Sequence, residues 1–226
     1  MQSRMEIQVN GYSKIIKNRV VLDNVSLLLE GGHIYGFRGK NGSGKTMLMR
    51  AICGMIRASS GEIYVDGKKV ISSKAYPVSV GALIESPSFL MGSTGFENLK
   101  LLAELSGLAS EKDIRLTMNY LGLGPNDKRK YKEYSLGMRQ KLGIAAAVMG
   151  SPQLIVLDEP INALDEETVY KVRKMLVGLR DPKRIIVIAC HDREEMDYLS
   201  DWIFNIEDGH IAGEERNEKE MDNAEI

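Results

Sequence analysis

The sequence predicts an α/β fold with a mostly parallel sheet, an antiparallel β subdomain at the N-terminal end and an α-helical subdomain inserted in the middle. Three observations predict it. Gly39-Lys40-Asn41-Gly42-Ser43-Gly44-Lys45-Thr46 is a glycine-rich loop between an apolar run that reads as a strand (residues 33–37) and one that reads as a helix (residues 47–52). Strand, glycine turn and helix start are the context in which a G-x-x-x-x-G-K-[ST] pattern binds phosphate. Further on, residues 154–157 and 185–189 are continuous apolar runs with a helical segment between them, as expected of parallel strands buried on both faces. Between these two parts lies a stretch whose apolar spacing is helical.

In chain order, residues 5–9, 25–29 and 33–37 read as strands separated by turn residues. Residues 62–65 and 69–71 flank Asp66-Gly67, a hairpin signal. Residues 80–84 form another strand. Thr94-Gly-Phe-Glu97 has capping-box form and opens a helix carrying Leu99, Leu102 and Leu105, stopped near Gly107. Ser110 opens a second helix with Ile114, Met118 and Leu121 on one side, closed by Gly122. Residues 137–149 form a third, which places the helical subdomain at about residues 87–150. Asp165 caps a helix with Val169, Val172, Leu176 and Leu179 inward. Residues 202–207 and 210–211 bracket Asp208-Gly209, a second hairpin signal, and residues 214–226 read as an acidic, solvated tail.

At 226 residues the chain suits one substantial core with a subdomain, so residues 1–226 are read as one domain. The net charge of −1 argues against a dedicated nucleic-acid binder. Met1 is not followed by a charged-then-apolar leader, so no secretory signal is expected. No apolar stretch reaches the roughly 18 residues of a membrane span, so any membrane role has to come through a partner. Cys53 and Cys190 match no metal-ligand spacing and lie in apolar surroundings, which favours reduced, buried thiols. His33 and His210 fit no motif and are read as structural.

Phosphoryl transfer to water needs a phosphate cradle, a metal and a group that orients the attacking water. Glycines 39, 42 and 44 let backbone N–H groups crowd around phosphate oxygens, with Lys40, Asn41 and Ser43 completing the cradle. Lys45 reaches the β- and γ-phosphates and the Thr46 hydroxyl binds Mg²⁺. Residues 154–159, Leu-Ile-Val-Leu-Asp-Glu, add Asp158 as a further Mg²⁺ partner and Glu159 as general base. Alone, a strand ending in two acids more often just meets solvent; a phosphate loop in the same chain reverses those odds.

With residues 134–140, Tyr-Ser-Leu-Gly-Met-Arg-Gln, placed just upstream of that strand, the chain resembles the nucleotide-binding subunit of ATP-binding cassette (ABC) transporters along nearly its whole length. Ser135 and Gly137 match that family's Leu-Ser-Gly-Gly-Gln signature; Leu136 and Met138 depart from it. The resemblance implies a P-loop NTPase core, ATP and Mg²⁺ as cofactors, and a head-to-tail pair of subunits in which Ser135 and Gly137 meet the γ-phosphate bound to the other subunit. It implies a D-loop at residues 162–165, a switch histidine at His191, and an aromatic that stacks on adenine at Tyr12. Where the family has a Q-loop glutamine this chain has Glu85, expected to keep a metal-sensing role. Gly-Ala-Leu-Ile-Glu-Ser-Pro at residues 81–87 and Tyr-Ser-Leu-Gly-Met look most like bacitracin- and lantibiotic-type exporters. The implied partners are a second nucleotide-binding subunit, the same or a paralogue, and membrane-spanning permease subunits, with no nucleic acid. The implied location is cytoplasmic, at the inner face of the membrane. A soluble ABC ATPase acting on ribosomes or DNA is the alternative; a P-loop kinase or GTPase fits less well, lacking an Asn-Lys-x-Asp motif.

Overall fold

Two sheets share the molecule, and the alternation of side chains along the central strands divides its core in two. The computed structural model describes residues 4–72, 74–190 and 193–217. Strands β1 (Glu6–Ile16), β2 (Arg19–Glu30), β4 (Ser60–Val65) and β5 (Lys68–Lys69) form an antiparallel sheet in the order β2-β1-β4-β5. A six-stranded sheet runs β10-β9-β3-β8-β7-β6. Its members are β3 (Ile34–Arg38), β6 (Val80–Leu83), β7 (Leu154–Asp158), β8 (Ile185–Ala189), β9 (Trp202–Glu207) and β10 (His210–Arg216). All neighbours in it are parallel except β9 and β10.

β7 and β8 are buried at every position. Leu154 and Val156 face the antiparallel sheet and α1 (Lys45–Ile52), whereas Ile155 and Leu157 face the helical side. β8 splits likewise, with Val187 on one face and Ile186 and Ile188 on the other. A period of two along a strand leaves no polar face, which explains the unbroken apolar runs.

The helical part comprises α2 (Gly95–Ser106), α3 (Glu111–Tyr120) and α4 (Leu136–Val148), followed by α5 (Glu166–Gly178) and α6 (Arg193–Leu199) in the α/β part. Thr94 and Ser110 make full capping boxes with Glu97 and Asp113. Ile114, Met118 and Leu121 are buried together, as the spacing predicts. On α2 the expected stripe fails: Leu99 is buried, but Leu105 is 76% exposed. Successive three-residue steps each fall about 60° short of a turn, so the third leucine has rotated off the core face. On α5, Val172 and Leu176 are buried and Val169 and Leu179 half-buried.

The C-terminal boundary also shifts. Glu214, Glu215 and Arg216, read as the start of a solvated tail, belong to β10 and pair with Phe204, Ile203 and Trp202. Glu215 is tied to Arg38 at 2.6 Å and accepts a hydrogen bond from Asn205. The rest of the predicted tail, residues 218–226, lies outside the described residues. Cys53 and Cys190 are buried, as expected, and burial pushes the Cys53 thiol up to about 12.

Candidate active site

In an open parallel sheet the loops that leave the carboxyl ends of the strands gather on one edge. Here that edge collects the glycine loop after β3, Asp158 and Glu159 at the end of β7, Cys190 after β8 and Glu85 after β6. Gly39 has to be glycine because a Cβ there would stand 2.2 Å from the Ile206 carbonyl oxygen. Gly44, at φ +112°, supplies the left-handed turn that leads into α1.

Lys45 is buried, and its ammonium donates to the carbonyls of Gly39 (2.7 Å) and Lys40 (3.1 Å), holding it inside the loop. Burial lowers its pKa from the ordinary lysine value; the charges of Glu159 and Asp158 oppose that shift. Thr46 Oγ1 donates to Asp158 Oδ2 at 2.8 Å, across 112 residues of sequence. The expected metal pair is therefore in contact. Two hard oxygen donors suit Mg²⁺, which keeps several waters and takes its remaining ligands from substrate phosphates. Ser43 Oγ, buried inside the loop, has no hydrogen-bond partner among the described residues, as expected of a cradle shaped for an anion.

Glu159 adopts φ +50°, the left-handed region unusual for its type. Two elements fix it there. Its N–H donates to Ala189 O at 2.8 Å, and Gln140 of α4 donates from Nε2 to the carbonyls of Glu159 (2.8 Å) and Pro160 (3.1 Å). In the sequence reading Gln140 is only the last residue of the signature-like segment, five residues past Ser135, and is given no role. A cleft of about 660 Å³ joins the loop to both acids, with Asn41, Gly42, Gly44, Lys45, Thr46, Asp158 and Glu159 in its wall. Arg19, Val20, Met47 and the Asp208-Gly209 turn complete the wall. They too were missed; Gly209 N–H reaches Ser43 O at 2.8 Å from a hairpin more than 160 residues away, a closeness with no local signal.

Tyr12 is not where the resemblance puts it. It is 3% exposed in the antiparallel sheet's core, and its hydroxyl donates to Ile56 O at 3.1 Å. Burial raises the phenol to about 12. Its ring is committed to packing and is absent from the cleft wall. The Glu85 carboxylate is paired with Arg50 of α1 at 2.8 Å, four residues along the helix from Thr46, and does not line the cleft. His191 lies outside the described residues.

Ser135 caps α4, its Oγ accepting from Met138 N at 3.3 Å, and is exposed. Neither it nor Gly137 lines the cleft of its own chain. A Cβ on Gly137 would approach Ala163 O to 2.8 Å, so the signature helix begins directly against the loop before α5. Asp165 accepts from the Thr168 N–H (2.9 Å) and hydroxyl (2.8 Å) and pairs with Lys141 of α4, which together hold its carboxyl well below the usual range.

The parallel sheet, the loop gripping its own lysine, and the paired Thr46 and Asp158 define a P-loop nucleoside triphosphatase. The ABC transporter family profile matches residues 22–162. The lantibiotic transport ATP-binding protein SrtF of Streptococcus pyogenes is 33% identical, over 97% of this chain and 93% of its own length. The bacitracin transport ATP-binding protein BcrA of Enterococcus faecalis is 34% identical, over 92% and 68% respectively. Among solved structures, the ATP-binding cassette MJ0796 bound to ADP and Pi superposes with a TM-score of 0.83 at 21% identity, covering 93% of this chain and 98% of that one. The chain belongs to the ABC transporter family and is an ABC ATPase.

Proposed function

We propose that the chain hydrolyses MgATP to drive export through separate membrane-spanning permease subunits, as half of a head-to-tail pair of cassettes. The observation that carries the proposal is the 2.8 Å contact between Thr46 and Asp158, which joins the phosphate loop to the acidic strand end beside Glu159. Backbone N–H groups of residues 39–46 and the Lys45 ammonium bind the β- and γ-phosphates. Lys45 is pre-oriented by its two carbonyl contacts and exchanges them for phosphate oxygens. Thr46 and Asp158 would hold Mg²⁺, which neutralises charge on the phosphates when bound. Glu159 is held in a fixed backbone conformation and accepts the proton of the attacking water. His191 follows β8, in line with a contact to the γ-phosphate.

Ser135 and Gly137 present their helix N-terminus outward, which suits them to close on a nucleotide held by the other subunit. Among the described residues no helix is long and apolar enough to cross a membrane, so movement of cargo requires a permease. Export rests on the resemblance to bacitracin- and lantibiotic-type exporters, and SrtF and BcrA are named for lantibiotic and bacitracin transport.

Glu159→Gln tests the chemistry. It should lower the hydrolysis rate by at least about 100-fold, the usual contribution of a general base, while leaving ATP binding intact. Persistent turnover would reject Glu159 as the base. Co-purification with a six-helix permease expressed beside it tests the transport assignment, and a chain that associates with none would reject it.

A further inference from the structure

With Tyr12 committed to the core, no aromatic side chain among the described residues stands in the cleft wall. The far end of the cleft is instead the β1–β2 hairpin tip. Lys17 and Asn18, both at positive φ, turn the chain, so that Ile16 lies opposite Arg19 and Ile15 opposite Val20. Ile15, Ile16 and Val20 are 49%, 40% and 50% exposed, an aliphatic surface left in water. Arg19 borders both the main cleft and the hollow of about 720 Å³ on the other side of Asn41 and Gly42. The acids and Lys45 account for the triphosphate end. A nucleotide's sugar and base extend beyond the loop, and the β1–β2 hairpin lines the cleft there with Arg19, Val20 and Val21.

We infer that Arg19 is the base-binding residue, its planar guanidinium lying against the face of the nucleobase while Val20 covers the apolar edge. Guanidinium planes stack on bases as aromatic rings do, whereas an ammonium of equal charge offers no plane. This rests on the ATPase reading above and specifies how that site holds the part of the ligand that does not react.

The experiment measures affinities for ADP and for inorganic pyrophosphate, which avoids both hydrolysis and nucleotide-driven pairing, on the full chain and on Arg19→Ala, Arg19→Lys and Arg19→Tyr. Arg19→Ala and Arg19→Lys should each bind ADP about fivefold more weakly, the scale of a modest stacking or cation–π contact, with pyrophosphate changed by less than about twofold. Arg19→Tyr should restore ADP affinity. Arg19 is at an exposed tip, so thermal midpoints of all three variants should match the parent and exclude misfolding. An equal loss for pyrophosphate would make Arg19 a phosphate contact and overturn the inference. So would full affinity in Arg19→Ala or Arg19→Lys, or failure of Arg19→Tyr to restore it. If the parent chain bound neither ligand, the ATPase reading and this inference would fall together; a parent that binds ADP with Arg19→Ala unchanged removes only the inference.

Discussion

Lys45 carries its positive charge inside the loop at a cost. Burial disfavours the ammonium more than Asp158 and Glu159 favour it, so its pKa sits below the ordinary 10.5. In the free protein the unfolded chain therefore binds more protons between the two values, and stability rises with pH across that window. Bound phosphate reverses the balance, because its negative charge favours the ammonium and lifts the pKa. The complex then holds its proton more tightly than the free site does. ADP affinity should accordingly fall as pH rises through the free-site pKa, beginning below 10.5. A titration series from about pH 7 to about pH 10 checks this, with Lys45→Ala as the control that loses both the affinity and the slope. A flat profile in the parent would mean that Lys45 does not meet phosphate. At this scale the sequence was clearest where motif and context coincide: Lys45, Thr46, Asp158 and Glu159 meet in one cleft as read. It misled at Tyr12, because an aromatic residue in a first strand suits a core as well as a ligand. Only burial and the Ile56 contact separate the two.

Elements were legible where a local cap or an unbroken apolar run marked them, as with Thr94, Ser110 and Asp165 at helix starts and β7 and β8 in the sheet. They were less legible where a face had to be inferred from few residues, as on α2. That helix has a second duty which no motif announces. Asn98, 3% exposed, accepts from Leu90 N (2.8 Å) and donates to the carbonyls of Thr94 (2.9 Å) and Leu90 (3.2 Å). The same loop is pinned near its start by the buried Tyr131, whose hydroxyl donates to Pro87 O at 2.7 Å. Together they shape the connection from β6 to α2, with Leu90 and Met91 each 56% exposed at its surface. Asn98→Ala leaves the part-buried Leu90 N–H without its acceptor, while the Leu90 and Thr94 carbonyls keep the backbone N–H groups of Ser93 and residue 98. The loss should be about 1 kcal/mol. Urea unfolding of the two chains measures it. A loss within about 0.5 kcal/mol, the range of an ordinary surface substitution, would show that water replaces the amide freely.

For the whole molecule, the strand order was hidden from the sequence. Parallel runs announce burial but not neighbours, and β3 lies between β8 and β9, strands that follow it by about 150 residues. That order is what sets Asp158 beside Thr46 and leaves Ser135 outside the cleft wall of its own chain. One chain thus presents a complete phosphate cradle and, on another surface, a helix N-terminus with no phosphate to meet. In the proposed head-to-tail pair, two cassettes related by a twofold axis would satisfy both surfaces at once, each loop facing the other's Ser135. Under that proposal ATP would favour the pair through contacts that exist only in it, and hydrolysis would remove them. The consequence is kinetic. ATPase rate per chain should rise with protein concentration and level off once pairs dominate, and Glu159→Gln with ATP should run as a dimer in light scattering while ADP leaves it monomeric. Ser135→Ala should shift the rate curve to higher concentration while leaving ADP affinity of the monomer unchanged, because Ser135 is absent from the monomer's cleft. Monomers diluted well below the plateau that still hydrolyse ATP at the full rate per chain would show that one cradle suffices, and that Ser135 caps its helix and nothing more.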